Sequence, residues 1–280
     1  MKNDISVIIP FYNAEHTLLR AVSSVLNQIN PSWEVILVND GSSDCSEQVA
    51  ENFINDPRIQ YFRQENKGVS TARNLGANKA KTNWLIFLDA DDELSLDALS
   101  IYQNAIAEFP GRSVLLAGLK KITGNSIITH IPQKGKFKSK IPGTFCLEKE
   151  LFDEVGGYDE QMKYSENTEL FHRIELLNKP FGYIQKVTVN YHDTPDGGSK
   201  NLKNMISSLS WFLDKHPETL SPHVKHLFNQ IIGVNYLRFG ENEKAKLRFK
   251  ASLKYEFKIP TLLRYIISFS EVVSSIIYSK

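Results

Sequence analysis

The sequence predicts an α/β fold, a mainly parallel sheet flanked by helices, followed by an all-helical C-terminal appendage. Three observations lead there. Short apolar runs, Ile5–Ile9, Trp33–Val38, Ile59–Phe62 and Trp84–Leu88, alternate with segments of helical period, the pattern of βαβ units. The fourth run has no polar face and leads into three acids within four residues, Asp89, Asp91 and Asp92. Beyond about residue 200 only helical period remains.

In chain order, Ile5-Ser6-Val7-Ile8-Ile9 stops at Pro10 and forms the first buried strand. Glu15–Asn27 carries Leu18, Leu19, Val22, Val25 and Leu26 at helical spacing. Trp33–Val38 is the second strand, and the turn-rich Asn39–Asp44 after it caps a helix over Ser46–Asn55. Ile59–Phe62 is a short third strand. A polar loop follows, and then a helix over Ser70–Lys81 with Arg73 and Asn74 near its start. Trp84–Leu88 is too short for a helix and forms a strand buried on both faces. Leu94–Phe109 is helical, and Ser113–Leu119 and Ser126–Ile131 are strands around a turn at Gly124-Asn125. Gly143–Leu147 is another strand, Lys149–Val155 a helix, and Gly156-Gly157-Tyr158-Asp159 a tight turn. An amphipathic helix with Leu170, Phe171, Ile174, Leu176 and Leu177 precedes a strand over Gly182–Tyr191 that ends at His192.

The Pro/Gly-rich Asp193–Ser199 closes a first domain, 1–199, and leaves 200–280 as the helical appendage. Its segments are Leu202–Lys215, His223–Arg238, Lys244–Phe257 and Leu262–Ile277. The positions Tyr236, Gly240, Ala245, Phe249, Ala251 and Pro260 resemble one tetratricopeptide-like helix pair, which must pack on something because a single repeat cannot bury its own face. The last helix carries the stripe Leu262, Ile266, Phe269, Val273 and Ile276. It is expected to dock within the appendage, with a membrane-surface or partner contact as the alternative.

The chain has 280 residues, a net charge of +1 and 41% hydrophobic residues. A sizeable core is therefore expected, and the balanced charge argues against a nucleic-acid partner. Locally the balance breaks. Between Glu108 and Glu148 there is no acid, while Arg112, Lys120, Lys121, Lys134, Lys136, Lys138 and Lys140 are all present. The loop Lys134–Lys140 reads as a solvated excursion or, alternatively, as a cationic wall for a diphosphate or a lipid-linked phosphate acceptor. Cys45 and Cys146 match no metal spacing and are expected to be free thiols in a reducing compartment. Ile5–Pro10 is too short for a signal peptide, and no uninterrupted apolar run spans a bilayer. The expected location is the cytoplasm, with peripheral contact at the inner membrane face through the last helices as a further option.

The acids after the fourth strand stand where open α/β sheets bind ligands, beyond the carboxyl ends of the strands. Clustered carboxylates repel one another, and Mg²⁺ or Mn²⁺, which favours hard oxygen ligands and substrate phosphates, relieves that repulsion. The competing reading is capping of a helix N-terminus. The first strand leads into Pro10-Phe11-Tyr12-Asn13-Ala14-Glu15 rather than a glycine-rich fingerprint, and no P-loop is present. Phosphates would then fall to the carboxylates and a metal.

Four stretches stand in one order: SVIIPFYNAE, VNDGSSD, NKGVSTARNLG followed by FLDADD, and FDEVGGYDEQMKYSENTEL. Together they resemble a family 2 glycosyltransferase of the GT-A fold, over about residues 4–195. The resemblance implies a nucleotide-sugar half over about 1–109 and an acceptor half over about 110–199. It places Pro10, Tyr12, Asn13 and Glu15 against the nucleoside. Asp40 would accept a hydrogen bond from the base, with Asp44 in the same turn, and Lys67, Gly68 and Arg73 would border the donor. Asp89 would face the ribose, with Ala90 beside it. Asp91, closing the D-x-D, would reach the diphosphate and the Mn²⁺ or Mg²⁺. His192 matches a position that in some members is a further metal ligand or diphosphate contact.

The resemblance further implies an inverting transfer from a UDP-linked sugar to a hydroxyl of a saccharide or lipid-linked saccharide, in cell-surface polysaccharide or glycoconjugate synthesis. Members take the catalytic base from an acidic pair after the Gly-Gly-Tyr-Asp turn. Here the pair is Glu166-Asn167, and an amide does not take a proton at neutral pH. Glu166 is then the candidate base, with Glu169 a turn further on. The same departure supports a second reading, a catalytically weak sugar-nucleotide-binding module that acts through its helical C-terminus.

Overall fold

The computed structural model describes residues 4–29, 32–133, 140–193 and 201–278. Most of the basic loop, 134–139, and most of the Pro/Gly-rich loop, 194–200, lie outside the described residues. The chain divides into two compact units, Met1–Glu160 with Glu166–Pro195, and Gln161–Ser165 with Asp196–Lys280.

The first unit is built on one nine-stranded sheet. Its N-terminal half is parallel, in the order β3 (Ile59–Arg63), β2 (Trp33–Asn39), β1 (Ile5–Phe11), β4 (Trp84–Phe87). These strands read as unbroken apolar runs because helices cover both faces. Ile5, Val7 and Ile9 share one core with Leu18, Val22 and Val25 of α1 (Leu18–Leu26). Ile8, Ile36 and Val38 share the other with Ala72 and Ala77 of α3 (Val69–Lys79). A short α2 (Ser46–Glu51) follows the turn after β2.

The other half is mixed. β8 (Phe145–Glu148) pairs antiparallel with both β4 and β6 (Val114–Thr123), and β9 (Gly182–His192) runs parallel to β6. The hairpin strand β7 (Ser126–His130) pairs with β6. Helices α4 (Ala98–Glu108), α5 (Lys149–Glu154) and α6 (Glu166–Leu176) complete the unit. The helix expected over Leu94–Phe109 starts only at Ala98. Glu93–Leu94 forms a two-residue strand, β5, antiparallel to β9, and the Ser95 N–H donates to the Thr188 carbonyl at 2.9 Å. A pairing this short leaves no period in the sequence.

The second unit is helical: α7 (Leu202–Lys215), α8 (Pro222–Arg238), α9 (Asn242–Tyr255), α10 (Ile259–Ile267) and α11 (Glu271–Tyr278). Asn201 caps α7 by accepting from the Lys203 and Asn204 N–H groups, and Ser221 caps α8 with Pro222 in its first turn. The expected helix pair is α8 and α9, which turn at Gly240 and bury Ala245 and Phe249. The expected single helix over Leu262–Ile277 is two helices, bent by 119°. Its stripe does not dock inward: Ile266, Phe269, Val273 and Ile276 are exposed, while Thr261, Ser268 and Ser274 are buried.

One contact on the first sheet invites a direct check. Gly76 of α3 lies so close to β1 that a Cβ there would sit 2.4 Å from Cγ2 of Ile8. Alanine at an open helix position gains about 1 kcal/mol over glycine. Here overpacking outweighs that gain, and Gly76→Ala is expected to lower unfolding free energy by about 1–3 kcal/mol in urea titration. In an Ile8→Ala background the same substitution should cost less, so the two changes are non-additive.

Candidate active site

The carboxyl ends of β1 and β2 run into two loops that hydrogen-bond to each other. Pro10 is buried within β1, opposite Val38. Asn13 takes a left-handed conformation, φ 49°. Its Oδ1 accepts from the Ser43 N–H at 2.9 Å, and its own N–H donates to Ser42 Oγ at 3.1 Å. The Ala14 N–H donates to Ser46 Oγ at 2.7 Å, the Glu15 N–H to Asp44 Oδ2 at 3.1 Å, and the Cys45 N–H to Glu15 Oε2 at 2.9 Å. Burial works against ionised Asp44, but its hydrogen bonds from Ser46 and the Glu15 amide prevail and hold its carboxyl below the usual range. Asn13, Glu15 and Asp44 therefore shape the loop, and Tyr12 is the exposed aromatic on it. Cys45 and Cys146 are both free thiols.

Asp40 follows β2 and is buried. Its Oδ1 accepts from Gln64 Nε2 at 2.7 Å and from the Lys67 N–H at 2.9 Å, and its Oδ2 from the Gly68 N–H at 2.9 Å. The carboxylate thus holds the loop that launches α3, and Lys67 and Gly68 take their places from it.

Arg73 joins the two halves of the unit. Its side chain is 2% exposed; Nη2 donates to Asp89 Oδ1 at 2.6 Å and Nη1 to Glu166 Oε1 at 2.8 Å. Its guanidinium carbon lies 5.1 Å from the centre of the Tyr158 ring. Burial alone disfavours this charge, and Asp89 and Glu166 more than restore it, so the guanidinium is held in its charged form. The next residue, Asn74, accepts from the Tyr158 N–H at 2.8 Å and donates to the Tyr158 carbonyl at 2.9 Å. Gly157 makes this possible: it has φ 68°, and a Cβ there would sit 2.8 Å from Asn74 Oδ1. Tyr158 in turn donates its hydroxyl to Asn167 Oδ1 at 2.8 Å, and Asn167 Nδ2 donates to Glu166 Oε1 at 3.3 Å. Burial pushes the Tyr158 hydroxyl pKa well up, so it stays a donor. Glu169 does not reach this network as a base. It is fully buried and bound to Arg173, which donates to it at 2.6–3.1 Å and also to the Gly157 carbonyl at 2.7 Å.

The acids at the end of β4 are gathered by one turn, in which the Asp92 N–H donates to the Asp89 carbonyl at 3.1 Å over the nearly buried Ala90. Asp89, Asp91 and Asp92 each offer an oxygen, all within 4.8 Å of one another. Burial, then the charge of Asp89, pushes the Asp91 carboxyl up; burial, then Asp89 and Asp91, pushes that of Asp92 up to about 9. Asp92 Oδ1 accepts from the His192 N–H at 2.8 Å, while its Oδ2 is buried with no hydrogen-bond partner among the described residues. A hard-oxygen set with an orphaned buried carboxylate oxygen fits a divalent cation. Arg20 reaches over to donate to the Asp91 carbonyl. His192 is adjacent but outside the three-oxygen group: its ring Nε2 faces Glu93 Oε1 at 3.3 Å.

Arg20, Asn74, Asp92 and Tyr158 thus belong to the site alongside the residues expected there. Asn74, Asp92 and Tyr158 lie inside the ordered motifs. Arg20 gave no signal, because it lies on an otherwise ordinary amphipathic helix.

The family described as Glycosyl transferase family 2 matches residues 6–158. Among curated relatives, Glycosyltransferase GlyA of Streptococcus pneumoniae is 39% identical over 106 residues, 38% of this chain and 15% of that protein. Minor teichoic acid biosynthesis protein GgaA of Bacillus subtilis is 31% identical over 234 residues, 75% of this chain and 50% of that protein. The chain thus spans half or less of the length of these relatives. Among solved structures, TarS 1–349 of S. aureus superimposes with a TM-score of 0.65 at 18% identity, covering 97% of this chain and 90% of that one. The same TarS segment has been solved with UDP and with UDP-GlcNAc.

The Arg73 clamp sets a stability expectation. Arg73→Met leaves Glu166 and the half-exposed Asp89 without their partner, and breaking a buried pair in this way costs about 3 kcal/mol. Urea titration should show that loss. Arg73→Lys should recover only part of it, because an ammonium does not fork to two carboxylates as a guanidinium does.

Proposed function

This chain belongs to glycosyl transferase family 2, and on that premise we propose that it moves a sugar from a UDP-linked donor to an acceptor hydroxyl in cell-surface polysaccharide or glycoconjugate synthesis. The observation behind this reading is the network Asp89–Arg73–Glu166, which ties the acid cluster after β4 to the start of α6. The D-x-D acids and the expected base segment stand on one rigid connection.

In this reading Asp89, Asp91 and Asp92 hold Mn²⁺ or Mg²⁺, and the orphaned Oδ2 of Asp92 supports the assignment. A bound cation offsets the negative charge that grows on the diphosphate leaving group. The chain's own residues do the rest. Tyr12 and the loop shaped by Asn13, Glu15 and Asp44 border the nucleoside, beside the segment that Asp40 fixes through Lys67 and Gly68. Glu166 spends Oε1 on Arg73 and Asn167. Its Oε2 remains to take the acceptor proton as the hydroxyl attacks the anomeric carbon from the face opposite the diphosphate. One in-line displacement inverts that carbon, whose transition state is oxocarbenium-like. Asn167, fixed by Tyr158 and Glu166, orients the hydroxyl without deprotonating it. The UDP and UDP-GlcNAc complexes of TarS support the donor class, and the teichoic acid role in the name of GgaA supports the acceptor class.

A second reading has its own observation. Glu166 is ion-paired to Arg73, and the neighbouring position is an amide. Those two facts favour a weakly catalytic sugar-nucleotide-binding module.

UDP should raise the melting temperature, and Mn²⁺ or Mg²⁺ should add to the shift. At a hundredfold excess over its dissociation constant a ligand adds roughly 2.7 kcal/mol. In Asp91→Ala the metal-dependent part should vanish while the fold persists, as circular dichroism reports; a full metal effect in that variant removes the D-x-D assignment.

Turnover of a panel of UDP-sugars separates the two readings. A positioned base contributes about 10²–10⁴-fold. Asn167→Asp should therefore raise the rate, and Glu166→Gln should lower it with UDP affinity unchanged. If parent and Asn167→Asp neither transfer nor hydrolyse any donor while UDP still binds, the binding-module reading stands instead.

A further inference from the structure

Helices α10 and α11 are amphipathic in the reverse sense. On a water-soluble helical unit the large apolar side chains face the core and small polar ones face solvent. Here Leu263, Ile266, Phe269, Val272, Ile276 and Ile277 are each 51–77% exposed. The residues turned inward are Thr261, Ser268 and Ser274, all buried. They are held there by specific polar bonds. Gln230 of α8 donates to Thr261 Oγ1 at 2.7 Å, and Asn242 of α9 donates to the Ser268 carbonyl at 3.0 Å and to Ser274 Oγ at 2.9 Å. A buried serine or threonine without such a partner is unfavourable, and these bonds hold both helices in this rotation. The outward apolar face is therefore a property of the folded unit.

The surroundings indicate what covers that face. From Asn242 to Tyr278 there are seven Lys or Arg against three Glu. Lys250, Lys254 and Arg264 meet no carboxylate among the described residues. Large apolar side chains in a segment with this excess of cations, Lys246 lying 4.6 Å from the centre of the Phe269 ring, match the two layers of an anionic lipid surface, acyl boundary and headgroups. Neither helix alone is long enough to cross a bilayer. The helices have nine and eight residues, roughly 12–14 Å each against a hydrocarbon core of about 30 Å, and they bend by 119°. We propose that α10 and α11 form an in-plane docking surface for an anionic phospholipid bilayer. The proposal is independent of the transfer chemistry.

Sedimentation of the whole chain with vesicles tests it. The parent should bind phosphatidylglycerol/phosphatidylcholine vesicles, and pure phosphatidylcholine about tenfold or more weakly. Leu263→Asp/Ile276→Asp, both at exposed positions, should keep the parental circular dichroism and melting temperature yet lose binding by about tenfold or more. As a second readout, the indole introduced by Phe269→Trp should add emission that shifts to the blue on the anionic vesicles, read as the difference from the parent. Absence of binding to either vesicle overturns the proposal, as does equal binding to both. A parent that ignores vesicles but forms a dimer that the double aspartate variant dissolves, by analytical ultracentrifugation, assigns the face to a second copy of this chain instead.

Discussion

A guanidinium shut away from water is tolerated only when its charge is matched nearby. In the first unit the match comes from two carboxylates far apart in sequence, Asp89 at the end of β4 and Glu166 at the start of α6, meeting on Arg73 of α3. The ring of Tyr158 lies against the guanidinium as well. Neither the strand end nor the helix start can shift without leaving a buried charge exposed to a low-dielectric interior. Asn74, the next residue, fixes the backbone of Tyr158 from both sides, and Tyr158 fixes Asn167. Two adjacent residues of one helix thereby position the acid turn, the glycine turn and the start of α6 together.

The acid turn has the opposite electrostatic problem. Asp91 and Asp92 sit near Asp89 with no guanidinium on their carboxylates. Arg73 serves Asp89, and Arg20 serves a backbone carbonyl. The result is raised carboxyl pKa values and one buried oxygen without a donor. Carboxylates perturbed in this way cluster at functional sites.

The second unit departs from hydrophobic patterning at its end. By period alone the stripe Ile266, Phe269, Val273, Ile276 belongs inside. Instead it faces out, while Thr261, Ser268 and Ser274 are buried with hydrogen-bond partners on α8 and α9. The bend at Ser268–Ser270 divides the expected helix, because Ser268 is buried by its contact with Asn242 rather than continuing the solvent-facing period.

Local composition determined much of this protein. Buried parallel strands carry apolar residues on both faces, so Ile5–Ile9 and Trp84–Leu88 were legible as strands, and Asp89, Asp91 and Asp92 as an acid cluster at the end of the latter. The ordered motifs brought the family, and with it the notice of an amide at position 167. What tertiary structure decided are the relations between distant residues, which leave no periodic trace. These are the pairing of Glu93–Leu94 with β9, and the use of Asp40 and Asp44 as scaffolding. They include the meeting of Arg73 with both Asp89 and Glu166, the burial of Glu169 against Arg173, and the position of His192 against Glu93 rather than within the three-oxygen group. Rotation of a helix about its axis is likewise set by its neighbours. A sequence reports which face is apolar, but which face is turned in is settled by packing against neighbouring helices, here with Thr261, Ser268 and Ser274 inward.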